Sequence, residues 1–227
     1  MIGWQFGNAS PVGHIHRVVH VGECEVSLAF EWLLGGAEPP SGAALRLAED
    51  LVVTTLAADA GQVRVAGLAP SGRPVAWVAE AADPPSVSVS HVRGMLGAAV
   101  ATDGSVGLDI VDPADAGRAL DLFFSPEEMA LAPDDLGLLR ALLWAAKEAA
   151  YKAARVDTEF RPRKVTIASL SGNAFTWVVR DRHVVVEGTG RFATVARHVV
   201  AIAVTATDED HPVAGGRGDY VGAAACS

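Results

Sequence analysis

The chain has 227 residues, half of them hydrophobic, and a formal net charge of −9. That length and apolar content suit one large domain or two subdomains sharing a core, and the acidic balance argues against a general nucleic-acid binder. No apolar run reaches the roughly 18 residues a membrane span needs, and the start MIGWQFGNASPVGHIH lacks the basic and apolar regions of a secretory signal.

Residues 1 to 36 hold short apolar runs broken by Gly and Pro, with His14, His16 and His20 clustered among them. Alternate spacing could set His14 and His16 on one face of a strand, as metal ligands or as surface histidines, but no third ligand is spaced to complete a site. Val26 to Leu34 reads as a buried strand or a short helix. Ser41 is the expected N-cap of a helix carrying the apolar stripe Leu45, Ala48, Leu51, Val52, Thr55 and Leu56, with Gly61 as its end and Arg46 off the stripe. Strands are then expected at 63–68, 74–79, 87–90, 95–102 and 106–111, with Ser71-Gly72-Arg73-Pro74 turning between the first two.

Val106-Gly107-Leu108-Asp109-Ile110 places one carboxylate in an otherwise apolar strand, which is unfavourable unless it is paired, hydrogen-bonded or metal-bound. Asp112-Pro113 opens an expected helix through Phe124. Ser125-Pro126-Glu127-Glu128 then has the form of a capping box. Leu138 to Arg155 has no Gly or Pro and reads as a long helix, with Asp134 or Asp135 capping it. Its buried face is Leu139, Leu142, Leu143, Ala146, Ala149 and Ala150. A second stripe holds Trp144, Lys147, Glu148, Tyr151, Lys152 and Arg155, with Glu148 and Lys152 one turn apart. Taken alone, that pair is an ordinary surface ion pair.

Ser88-Val89-Ser90-His91, then Gly107-Leu108-Asp109, then Trp144-Ala-Ala-Lys147-Glu148-Ala-Ala-Tyr151-Lys152 occur in that order. Together they resemble the 4′-phosphopantetheinyl transferases, whose pattern is a Gly-x-Asp strand followed some tens of residues later by Trp-x-x-Lys-Glu-x-x-x-Lys. The likeness is closest to the larger single-chain type serving peptide and polyketide synthases, and it spans roughly residues 41 to 205. It implies an α+β fold of two similar, pseudo-twofold subdomains, each with a long helix packed on an antiparallel sheet. The divisions expected are 1–110, 111–206 and a tail from 207. It also implies magnesium-dependent transfer of the phosphopantetheine arm of coenzyme A to a serine of an acyl or peptidyl carrier protein, by a monomer. The resemblance assigns Glu148 and Lys152 to catalysis, and Asp109 and Glu148 to the metal. Arg46, Arg73, Ser90, His91, Asp109, Lys147 and Lys152 are assigned to coenzyme A. Arg46 and Arg73 serve equally well as solvated residues. One departure stands out: the family carries a second acid where this chain has Val111, so that Asp112 or water must complete the metal shell. That departure keeps open a non-catalytic relative that binds coenzyme A or a carrier without transfer.

Strands are expected again at 165–168, 175–180, 184–187 and 195–206, so helix-then-strands occurs twice. Arg140 to Arg197 holds 11 Lys and Arg against 5 Asp and Glu, and the remainder holds 7 against 22. An acidic partner is therefore attracted only to that region. Cys24 and Cys226 build neither a disulfide framework nor a zinc site, and a reducing cytoplasm is the expected setting.

Overall fold

The computed structural model describes residues 4–6, 14–131, 136–156, 158–182 and 184–205. The caps expected at Asp134 or Asp135, and the tail from 207, lie outside these residues. The strands, in chain order, are β1 (Trp4–Phe6), β2 (His14–Val21), β3 (Cys24–Trp32), β4 (Val63–Leu68), β5 (Arg73–Val78), β6 (Ser86–Val92), β7 (Met95–Ala101), β8 (Val106–Val111), β9 (Val165–Ser171), β10 (Ala174–Asp181), β11 (Val184–Val195) and β12 (His198–Thr205). The helices are α1 (Ala43–Leu56), α2 (Pro126–Met129) and α3 (Leu136–Ala154).

One antiparallel sheet has the order β2-β3-β7-β6, and a second has the order β8-β12-β11-β10-β9, with β1 parallel to the end of β11. β4 and β5 form a separate hairpin. The topology repeats: β3-α1-β4-β5-β6-β7 brings its last strand beside its first, and β8-α3-β9-β10-β11-β12 does the same. The fold is thus α+β with two similar halves. β8 hydrogen-bonds to β12, so a division after residue 110 cuts through a strand of the second sheet.

Alternation along the strands sorts the apolar residues into three cores. Leu47, Leu51 and Val52 of α1 pack with Ala98, Val100 and the β4–β5 hairpin. Leu139, Leu143 and the alanines of α3 pack with Val199, Ala201, Trp177 and Phe175. Between the sheets, Val26, Leu28 and Phe30 meet Leu108, Ile110, Val200 and Ile202. Every residue of the buried face expected for the long helix is buried, and Ala141, Ala145, Lys147 and Ala153 join it.

Several boundaries differ from expectation for local reasons. Ser41 does not cap α1, because the helix begins after Gly42 in a left-handed conformation with no side-chain cap. It ends at Leu56, well before Gly61, where Ala57 takes the left-handed position. The helix expected through Phe124 is two 3₁₀ turns, Pro113–Asp115 and Arg118–Phe123, parted at Ala116 and Gly117. The expected strands at 184–187 and 195–206 are instead β11, unbroken to Val195, and β12 from His198. Gly188 and Gly190 fall between those expected strands, and a Cβ there would lie 2.6 Å from the Trp177 ring and 2.0 Å from the Phe175 ring. These glycines make room for neighbouring aromatics.

The capping box forms as read. Ser125 Oγ accepts from the Glu128 amide and Glu128 Oε2 accepts from the Ser125 amide. The other oxygen of Glu128 accepts from the Ile167 amide at 2.9 Å and pairs with Lys147 at 2.7 Å. Lys147 Nζ also donates to the carbonyls of Pro162 and Val165. This buried pair is fully hydrogen-bonded, the condition under which a buried charge persists.

α3 lies close on β8 because Gly107 has no side chain. A Cβ there would sit 1.9 Å from the Ala149 carbonyl oxygen. Gly107→Ala should therefore lower unfolding stability by about 1–3 kcal/mol or more through overpacking. Gly117→Ala, where nothing lies within 4 Å, should be near neutral. Urea unfolding of the two variants checks this.

Candidate active site

β8 is an edge strand, and its outward amides need acceptors once buried. β6 supplies them from side chains. The hydroxyls of Ser86, Ser88 and Ser90 accept from the amides of Val106, Leu108 and Ile110 at 2.9, 2.9 and 3.2 Å. This seam joins the two halves and brings the Ser90-His91 end of β6 to Asp109.

Asp109 is 4% exposed. Its Oδ1 accepts from Ser90 Oγ at 2.9 Å and from Lys152 Nζ at 2.7 Å. Lys152 Nζ also donates to the Leu108 carbonyl at 2.9 Å. Glu148, one turn before Lys152, lies close enough to Asp109 and Lys152 for their charges to act on its carboxyl. Burial, and then the negative charge of Asp109, push the Glu148 carboxyl up to about 7 against the pull of Lys152. Two carboxylates and one ammonium thus share one place, and the pair holds more negative charge than Lys152 alone offsets.

They open on a cleft of about 570 Å³ between the halves. His91 and Val92 line it from β6, Asp109 to Val111 from β8, Leu120 from the following turns, and Trp144, Glu148 and Lys152 from α3. The volume is that of a small-molecule site. The Trp144 ring stands 5.6 Å from that of Phe123 and 5.8 Å from that of Phe160.

Of the residues singled out in sequence, Ser90, His91, Asp109, Glu148 and Lys152 come together here. Lys147 does not, because its ammonium is buried against Glu128. Arg46 is exposed, its guanidinium toward the Ser41 carbonyl. Arg73 clasps the end of α3, donating to the carbonyls of Arg155 and Val156 at 3.4 and 3.1 Å. The strand ends at Val111, which is buried in the core under α3. Asp112 lines the cleft, but its carboxylate accepts from the Ala114 amide and pairs with Arg197 at 3.1 Å. Among the described residues no three histidine, cysteine or acidic side chains form a metal cluster, the His14–His20 group included. Asp109 and Glu148 nevertheless suit magnesium. Their oxygens are hard donors, their mutual repulsion is relieved by a cation, and Mg²⁺ keeps several waters in its shell.

Sequence reasoning missed Ser86, Ser88 and Arg155, whose guanidinium donates to Ser86 Oγ at 2.7 Å. The signal was present in Ser86-Val-Ser88-Val-Ser90, three hydroxyls on one face of a strand.

Residues 105–203 match the family model of the 4′-phosphopantetheinyl transferase superfamily. That segment runs from just before β8 nearly to the end of β12 and contains Asp109, Glu148 and Lys152. No curated protein matches the chain. No helix among the described residues is long and apolar enough to cross a membrane.

The raised Glu148 carboxyl has a pH signature in the metal-free protein. Between about 4.5 and 7 the folded state keeps a proton that the unfolded chain releases, so this group makes stability fall as pH rises through that window. Below the window it contributes nothing, and above it the loss is complete. Glu148→Gln should remove this fall, leaving the variant with the higher Tm at pH 8 and the two proteins alike near pH 4. Thermal melts in EDTA across that range check the sign.

Proposed function

We propose that this chain, with its phosphopantetheinyl transferase domain over residues 105–203, moves the 4′-phosphopantetheine arm of coenzyme A to a serine of an acyl or peptidyl carrier protein. Adenosine 3′,5′-bisphosphate is released. The observation that carries this reading is the convergence of Asp109, Glu148 and Lys152 on one cleft between two halves. A polyketide or nonribosomal peptide synthase in the cytoplasm would supply the carrier.

The reaction is attack by the carrier hydroxyl on the pyrophosphate of coenzyme A. A new bond forms from the serine oxygen to the phosphorus that carries the pantetheine arm, and the bond from that phosphorus to the bridging oxygen breaks, the oxygen leaving with the adenosine bisphosphate. Asp109 and Glu148 would hold Mg²⁺, which when bound supplies positive charge against the pyrophosphate oxygens. Glu148 takes the serine proton, directly or through a water. Lys152, held beside Asp109, donates to an oxygen of the leaving phosphate. His91, exposed on the cleft wall, reaches coenzyme A phosphates from the other half. Both halves of one chain supply the cleft, which supports a monomer.

A second groove of about 550 Å³ adjoins the cleft through Phe123 and Phe160, with Arg161, Arg163 and Lys164 along it. An apolar floor with basic edges supports docking of an acidic carrier there. Val111 favours the alternative reading, a relative that binds coenzyme A or a carrier without transfer.

Intact mass of an apo carrier after incubation with the protein, coenzyme A and Mg²⁺ separates the two. The expected result is a gain of one phosphopantetheine that EDTA abolishes. Glu148→Gln should slow transfer at least about 100-fold, and Lys152→Ala by about 100- to 1,000-fold, with both variants folded. No gain on any of several carriers, with coenzyme A still bound by calorimetry, would establish the non-catalytic reading.

A further inference from the structure

We infer that Ser90 is a positioning residue for the metal-binding carboxylate Asp109 and not a ligand of coenzyme A phosphate. The inference rests on the reading that Asp109 holds a divalent cation.

A serine hydroxyl has one hydrogen to give. The oxygen of Ser90 accepts from the Ile110 amide at 3.2 Å, and an amide can only donate. Its partner at 2.9 Å is Asp109 Oδ1, and an ionised carboxylate can only accept. The direction of both bonds is therefore fixed, and the single hydrogen is committed to Asp109. Ser90 is 8% exposed, so the hydroxyl cannot turn to the cleft without leaving a buried carboxylate short of a donor. Ser86 and Ser88 make the same bond to β8 amides without reaching a carboxylate. Ser90 alone couples the seam to the site. It receives a strand amide on one side and orients a charged ligand on the other, as partners behind metal ligands commonly do. His91, the next residue, faces the cleft and is left for the phosphate.

The test measures Mg²⁺ and Mn²⁺ binding by calorimetry on the coenzyme-free protein, and coenzyme A binding separately in EDTA. Ser90→Ala should weaken the cation about 10-fold or more and leave coenzyme A affinity in EDTA unchanged. Ser90→Thr, which keeps the hydroxyl, should bind the cation within a few-fold of the parent chain. Ser88→Ala removes the same kind of seam bond and should leave cation affinity unchanged even where it lowers Tm. Unchanged cation binding in Ser90→Ala overturns the assignment, as does an equal loss in Ser88→Ala. A parent chain that binds neither cation overturns it as well. Weakened coenzyme A binding in EDTA, with cation binding intact, makes Ser90 a phosphate ligand instead. Transfer is not read, so a chain that binds the cation and modifies no carrier defeats the transferase reading while Ser90 keeps its role.

Discussion

Three backbone amides on the open edge of β8 set the terms for this molecule. An edge strand buried against another layer must find acceptors, and each amide left without one costs about 1–3 kcal/mol. The chain meets that demand with the hydroxyls of Ser86, Ser88 and Ser90 instead of a neighbouring strand's carbonyls. Side-chain acceptors hold β6 against β8 without merging the two sheets into one. The cleft exists because the sheets meet at this seam and stay separate.

The second determinant is how closely α3 approaches. Gly107 and the alanines of α3 let helix backbone lie directly on strand backbone. A larger residue at either surface would lift the helix and with it Glu148 and Lys152. Short side chains in the core thus set the distance between charged side chains at its margin. The far end of the helix is fastened by Arg73, a guanidinium from the other half that donates to the carbonyls of Arg155 and Val156 just beyond it. Glu128 and Lys147 anchor the middle from beneath. These contacts hold α3 at its middle and its far end and place Glu148 beside Asp109, whose charge, after burial, raises the Glu148 carboxyl.

Much of this was legible in the residues themselves. Asp109 stood out as a carboxylate in an apolar strand, the Glu148–Lys152 spacing set both on one stripe, and the helix-then-strands pattern appeared twice. What stayed hidden depended on neighbours distant in sequence. Lys147 sits between Trp144 and Glu148 in the motif, yet its ammonium is claimed by Glu128, 19 positions away, on a side of the helix that periodicity alone could not identify as closed. Gly188 and Gly190 fall between the strands expected at 184–187 and 195–206, and only the structure shows Trp177 and Phe175 lying over them. The serine alternation was visible, but its purpose required knowing that β8 has an uncovered edge. Asp112, a possible replacement for the acid missing at Val111, lines the cleft, and its partners Arg197 and the Ala114 amide were not legible in the sequence.

The placement of β8 also bears on how this chain can be divided. The strand hydrogen-bonds within the second sheet and takes its outer acceptors from the first half. A fragment beginning near residue 105 would keep Asp109, Glu148 and Lys152 and still lack half of what makes them a site. Its first strand would expose a row of unpaired amides beside apolar residues, the arrangement that recruits strands from other molecules. Such a fragment is a candidate for self-association in solution, and the N-terminal half then acts as a built-in shield for the strand that carries the site.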